Sequence, residues 1–357
     1  MMKKMFVILV FGLLIFAAGC EFNSGSGYQH YSDSFFDTFD TLVRFSAYTS
    51  SEEEFRQYFE QLRSRMLQLH QLYDIYNNYD GINNIKTIND QAGIRPVKVE
   101  REIIDLIIFA REWAGQTSGS TNIAFGPVLK IWHRYREAGL NDPQTARLPS
   151  TEELLEAAQY TDLNQVVVDL EESTVFLPGR QMSLDVGAVA KGFAVELVAR
   201  ELIAAGIESA VISAGGNVSL IGKPLDGERD YWGVGIRNPD QSIVSNSDNN
   251  LLDVIYALDV AVVTSGDYQR FYVVEDRMFH HLIDPATLMP ATHYRAVTVV
   301  AKDSGVADFL STELFLLPPE RSLPLAESLD GVEALWVMPD GSLVVTDGMK
   351  KLLRSEG

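Results

Sequence analysis

Between residues 51 and 73, Phe55, Phe59, Leu62, Met66 and Leu69 recur every three or four positions, with polar residues between them. That spacing predicts an amphipathic helix. Ser51 followed by three glutamates is good chemistry for its N-terminus, where a hydroxyl caps free N–H groups and acids meet the positive end of the dipole. A second helix is predicted over 100–116, and residues 118–139 read as a loop running into a third. The polar stretch 143–165 reads as mostly helical, and 187–205 as a helix that Gly206 terminates. Residues 76–93 are rich in Asn, Asp and Gly and predict a loop with a single helical turn.

Short apolar or alternating runs predict strands at 41–48, 209–222, 231–239, 255–265, 270–276, 278–284 and 294–301, and a hairpin around an acidic turn at 166–178. Residues 240–250 read as a polar loop, 305–317 as a helix, and the C-terminal part as a short helix and a hairpin around Pro339-Asp340-Gly341. Strands come in hairpin groups with helices between them, not in strict βαβ order. The expected class is therefore α+β, with mixed and largely antiparallel sheets flanked by helices and a helical inserted part, in one domain over 34–357.

The N-terminus breaks this pattern. Lys3 and Lys4 precede the apolar run "MFVILVFGLLIFA", which is short for a membrane span of ~20 residues and has the length of a signal-peptide core. Ala17, Ala18 and Gly19 lead directly into Cys20, the one cysteine of the chain. This resembles a bacterial lipoprotein signal. It implies removal of residues 1–19, a lipid-bearing Cys20 and a Gly/Ser-rich tether to residue 33. The expected location is the extracytoplasmic face of the cell membrane, since a diacylated cysteine holds far better than a single acyl chain. With Cys20 so used, no thiol is left for catalysis or a disulfide. The net charge of −20 does not suit a nucleic-acid backbone.

Several segments offer chemistry. Asp308 and Thr312 are i and i+4 on one predicted helix face, two hard oxygen donors of the kind Mg²⁺ takes. Taken alone, the pair reads more readily as an acid complementing a helix dipole and a threonine packed in the core. His280 and His281 end a strand, whose alternation lets at most one of them face a given site as a proton acceptor. "TSGDY" (264–268) offers two hydroxyls and a glycine at a turn, and "SAGGN" (213–217) two glycines where a ligand or backbone can come close. Tyr73, Tyr76 and Tyr79 are spaced for a helix face within a helix-averse segment, so they read either as loop packing or as a stack for a flat ring. "LDVGAVAKGFAVE" (184–196) is no Walker loop, because Lys191 is followed by Gly-Phe.

The order of these segments is more specific than any one of them. "FDT" (39–41), "YNNYDGINNIKTIN", "GSTNIAFGPVLKIW", "LDVGAVAKGFAVE", "SAGGN", "TSGDYQRFY", "HHLIDPATLMP" and "ADFLST" (307–312) resemble, in sequence order, the ApbE-type FAD:protein FMN transferases. The resemblance covers nearly all of the chain from residue 34. It implies Mg²⁺-dependent cleavage of FAD, transfer of FMN to a Thr or Ser hydroxyl of an acceptor protein, and release of AMP. By position it implies Asp308 and Thr312 as metal ligands with Ser311 beside them and the Ala188 carbonyl as a further one. It implies FAD contacts at Phe39, Tyr76, Ser120, Thr121, Asn122, Asp185, Lys191, His281 and Leu282, with His281 as general base.

Three departures stand out. Asn122 replaces the family's usual aspartate, Ala124 its threonine, and Leu288 a glycine, which casts doubt on a positive-φ turn at that last position. Two other readings remain open: an FAD pyrophosphatase giving free FMN and AMP, and a lipid-anchored flavin-binding protein that is not an enzyme.

Overall fold

The computed structural model, which describes residues 27–239 and 250–356, turns the alternating segments into hairpins and covers them with helices. Strands β1 (Gln29–Thr38) and β2 (Thr41–Thr49) are followed by helices α1 (Glu52–Tyr73) and α2 (Ile85–Asp90), strand β3 (Val97–Lys98), and helices α3 (Arg101–Gln116), α4 (Gly126–Asn141) and α5 (Thr151–Ala158). A hairpin of β4 (Val167–Asp169) and β5 (Thr174–Phe176) leads to α6 (Ala190–Ala204). Then come β6 (Ala210–Ala214), β7 (Asn217–Ile221), β8 (Trp232–Arg237), β9 (Leu251–Ala257), β10 (Ala261–Gly266), β11 (Phe271–Val274), β12 (Arg277–His280) and β13 (Ala296–Ala301). Helices α7 (Ser304–Leu316) and α8 (Pro319–Ser328), the hairpin β14 (Glu333–Val337) and β15 (Leu343–Val345), and α9 (Asp347–Lys350) complete the order.

One sheet runs β1-β2-β6-β7-β10-β13-β14-β15, and every pairing in it is antiparallel. Its strand β13, "AVTVVA", is buried at every position. The reason is that both faces of the sheet are covered. Val297 and Val299 pack with α1, α3, α6 and α7 in the main core, while Ala296 and Val300 pack with the β8–β9 hairpin and the C-terminal segment. A third cluster joins α4 and α5 to the β11–β12 hairpin through Val128, Trp132, Leu154, Tyr272 and Phe279. This is the helical inserted part.

The helical stripe of α1 is the one the spacing predicts. Phe55, Phe59, Leu62, Met66 and Leu69 are all buried, each contributing about 1.5–3 kcal/mol relative to exposure, and the Ser51 hydroxyl accepts from Glu54 N–H at 3.2 Å. Helix α7 has no such stripe. It is buried on nearly all sides, as a helix in the middle of a core must be.

Some expectations change. Gln29–Asp33, read as tether, are paired in β1 against β2. The single strand read over 255–265 is two, because Asp259 adopts a left-handed conformation (φ 52°) and accepts Gly222 N–H at 2.7 Å. Only Thr151–Ala158 of the polar stretch 143–165 is α-helical, and α6 begins at Ala190, after a turn over 187–189. Leu288 does adopt φ 59° although it is not glycine. Its strain is held by burial, by its N–H on Asp284 O at 2.8 Å and by its carbonyl, which accepts Trp132 Nε1–H at 3.0 Å. The signal segment, Cys20 and residues 240–249 lie outside the described residues.

Candidate active site at the end of the central sheet

A cavity of about 840 Å³ opens where the three clusters meet. Of the residues singled out from the sequence, it is lined by Phe39, Tyr76, Ser120, Thr121, Asn122 and Asp185, and by Ala188, Lys191, His281, Leu282, Asp308 and Thr312. Ser311 is not on its wall. That side chain is fully buried behind it, with its hydroxyl on Asp308 O at 2.9 Å and on Ser265 Oγ at 2.8 Å.

The floor is built by the crossing of α6 and α7. A Cβ on Gly192 would collide with Asp308 and with Ser304 O, so the helices meet this closely only because residue 192 is glycine. The same approach lets Asp308 Oδ2 accept Gly192 N–H at 2.7 Å. Gly192 is in the first turn of α6, where N–H groups have no partner within the helix and where Val189 supplies no side-chain cap. Asp308 is thus the cap, delivered from a neighbouring helix. Its other oxygen, Oδ1, stands 3.7 Å from Lys191 Nζ.

Asp308 and Thr312 are nearly buried, and the Ala188 carbonyl lies on the same cavity wall. No group of three or more His, Cys, Asp or Glu forms a metal cluster among the described residues. What remains is a carboxylate, a hydroxyl and a carbonyl, an all-oxygen partial set. It fits Mg²⁺, which takes few protein ligands and completes its shell with water and substrate phosphates. It does not fit zinc.

Three loops bring the other residues in, each held by a side chain that the sequence reading passed over. Glu313, fully buried in α7, accepts Ser118 N–H at 3.0 Å, Ser120 N–H at 3.3 Å and Thr121 N–H at 2.5 Å, and so fixes the Ser120-Thr121-Asn122 segment. Asn89 pairs with both backbone groups of Leu184, at 2.7 and 2.9 Å, and holds Asp185 in place. Asp74 accepts from Tyr76 N–H, Asn77 and the Tyr79 hydroxyl. Burial would raise the Asp74 carboxyl, but these hydrogen bonds outweigh it and leave its pKa lowered. Tyr79 is spent on that bond, whereas Tyr73 and Tyr76 reach the cavity.

Asn122 is explained by its two partners. Its Oδ1 accepts Ala124 N–H at 2.8 Å and its Nδ2 donates to Thr161 O at 2.8 Å. A carboxylate performs only the first of these.

The histidine question resolves. His280 is structural, with Nε2 at 2.8 Å from Ala291 O and Nδ1 accepting Leu282 N–H at 3.2 Å. His281 lines the cavity, and its Nδ1 is buried with no hydrogen-bond partner. Burial first, then the positive charge of Arg270, holds its pKa well below the ordinary imidazole range, so the ring is neutral near pH 7.

Sequence reading also missed His133 and Arg136. With Phe125 and Leu129 they form one cavity-facing stripe at 125, 129, 133 and 136, a helical spacing legible in "FGPVLKIWHRYR". His133 Nδ1 is 3.0 Å from the Tyr76 hydroxyl and its Nε2 is 4.0 Å from Asp185 Oδ2. The Gly215-Gly216 turn, Thr264 and Ser265 also line the cavity, as "SAGGN" and "TSGDY" lead one to expect, with Ser265 Oγ 3.5 Å from Thr312 Oγ1.

An antiparallel sheet backed by a buried helix, with an oxygen donor pair facing a large cavity, defines a class that comparison identifies. Residues 39–336 match the ApbE family, and the chain belongs to that family. It is 33% identical over 282 residues to a Treponema pallidum protein named FAD:protein FMN transferase, covering 76% of this chain and 75% of that one. A Klebsiella pneumoniae protein of the same name is 29% identical over 265 residues, covering 74% and 78%. Among solved structures, the ApbE protein of Thermotoga maritima superposes with a TM-score of 0.78 at 27% identity, over 91% of this chain and all of that one. The flavin transferase ApbE of Vibrio cholerae, at 22% identity and a TM-score of 0.72 over 91% of this chain and all of that one, shares the fold.

Proposed function

We propose that this protein is an FAD:protein FMN transferase that works with Mg²⁺ and acts on an extracytoplasmic acceptor. The observation that carries the reading is that Asp308, Thr312, Lys191 and a neutral His281 line one cavity, whose volume of about 840 Å³ is within the range of small-molecule and cofactor pockets. Membership in the family and the shared name of the relatives support it.

Asp308, Thr312 and the Ala188 carbonyl would hold the metal. A Mg²⁺ held there would supply Lewis-acid charge to the diphosphate and favour departure of AMP, chemistry worth several kcal/mol in such transfers. Lys191 places a point charge beside the same oxygens. Tyr76 and the 120–122 segment orient the flavin and its chain. The acceptor's Thr or Ser oxygen attacks the phosphorus on the FMN side. The new P–O bond forms as the bond to the AMP phosphate breaks, and the hydroxyl proton passes to His281.

A water molecule in place of the hydroxyl gives FMN and AMP, which is the pyrophosphatase outcome of the same site. Measuring AMP release from FAD with and without an acceptor domain separates the two. The transferase reading expects AMP in step with a flavin-fluorescent acceptor band. AMP at an unchanged rate with no such band contradicts it. Intact FAD with Mg²⁺ present favours a flavin-binding protein instead.

The membrane tether through Cys20 is part of this proposal. Incorporation of labelled fatty acid that disappears in Cys20→Ser supports it, and incorporation that persists contradicts it.

A further inference from the structure

Resting on that reading, we infer that Arg136 and Arg270 form a phosphate-binding pair for the FMN half of the substrate, separate from the Asp308–Thr312 oxygen set. Both line the cavity, Arg136 half-buried on the α4 stripe and Arg270 exposed just before β11. The other cationic side chains on the wall are engaged. Lys191 is beside Asp308, and Arg237 lies over the Tyr268 ring at 5.5 Å. Arg136 and Arg270 make no ion pair or hydrogen bond among the described residues, although they are close enough to each other for their like charges to interact and Arg136 is pushed toward the neutral form by burial. Asp185 and Glu137 act on Arg136 only through space, and two like charges facing one cavity with no acid bonded to either call for an anion there.

Their position says which anion. Arg136 and Arg270 both lie within electrostatic reach of His281. If His281 takes the acceptor's proton, the phosphorus under attack is next to it, and so are these guanidiniums. The charge balance points the same way. A diphosphate carries two negative charges, and Asp40, Asp74, Asp185 and Asp308 add four more on the wall, against Lys191, Arg237 and one divalent metal. Negative charge carried by the non-bridging oxygens of the phosphoryl group as it is transferred is left for a further cation to meet, a part that arginine's fork of donors is suited to. The ligand class is therefore a phosphomonoester or phosphodiester attached to the ribityl chain.

The test is flavin binding by the full-length protein in EDTA, so that no metal contributes, read by quenching of flavin fluorescence for FMN and for riboflavin. These ligands differ only in the phosphate. The wild-type protein is expected to favour FMN by about tenfold or more, the scale of one or two charge-assisted hydrogen bonds. In Arg136→Gln/Arg270→Gln that preference is expected to fall to about twofold or less, with riboflavin affinity unchanged and with partial recovery in Arg136→Lys/Arg270→Lys. No preference for FMN in the wild-type protein overturns the inference without recourse to any variant. So does a preference that survives the double substitution, or an equal loss of both ligands. Failure of the wild-type protein to bind either flavin overturns the underlying function instead.

Discussion

Asp308 serves two purposes through two oxygens. Oδ2 caps α6 at Gly192 N–H, and Oδ1 is turned to Lys191 and the cavity. The two roles come apart on substitution. Asp308→Asn keeps an oxygen for the cap but loses the charge, so it is expected to melt within a few degrees of the wild type and to lose about a hundredfold or more in metal-dependent turnover. Asp308→Ala is expected to lose both, with the missing cap costing about 1 kcal/mol or more. Thermal melts beside an assay of AMP release check this, and full activity in Asp308→Asn refutes the metal assignment.

His281 gives a second prediction at this scale. Because its pKa is lowered, the acid limb of the pH–rate profile should lie below the ordinary imidazole value of about 6.5. Removing Arg270, a secondary cause after burial, should move that limb upward while leaving it below that value.

Single residues were also where the sequence was least decisive. The i, i+4 spacing placed Asp308 and Thr312 on one face correctly, yet periodicity carried Ser311 no closer to the cavity, and only the end of β12 at His280 separates the two histidines. Leu288 shows why a missing glycine is weak grounds against a positive φ when burial and two hydrogen bonds favour the turn.

At the scale of elements, the site depends on how closely α6 and α7 approach. Gly192→Ala puts a methyl group into Asp308 and Ser304 O, both backed by buried core. It is expected to destabilise the fold by about 1–3 kcal/mol and to weaken activity more than stability alone explains, since the displaced group is the Asp308 carboxylate. Denaturant titration with parallel activity measurements checks both parts, and a stable, fully active variant refutes the account of the crossing.

The helices themselves were legible because their stripes are local: α1, α3 and α7 begin and end within a residue or so of the predicted limits. Glu313 was not, because an acid in the buried run "LSTELFLL" reveals its purpose only when a loop nearly two hundred residues away supplies the N–H groups. The break between β9 and β10 was hidden for a similar reason. Apolar residues on both sides of Asp259 mimic one continuous strand.

Over the whole molecule, hairpin grouping was enough to expect antiparallel sheets, but not their order. That β2 pairs with β6 across six intervening α-helices is a long-range fact with no local pattern behind it. The cavity inherits this, since its walls come from elements throughout the chain and no single motif contains it.

A molecular-scale consequence concerns pH. His133, His280 and His281 all have lowered pKa values, each first by burial. The unfolded chain therefore takes up protons before the folded one as pH falls. Stability from these three groups is complete above about pH 6.5 and is lost as pH drops from there toward their folded values. Denaturant midpoints are expected to decline between about pH 7 and pH 5, and a midpoint that rises over that interval contradicts the burial of these rings.

The most direct test of the central claim is the intact mass of an acceptor domain incubated with this protein, FAD and Mg²⁺. The account predicts a gain equal to FMN less one water on a single Thr or Ser, absent with EDTA and absent when that hydroxyl is replaced. An acceptor of unchanged mass while FAD is consumed would contradict it.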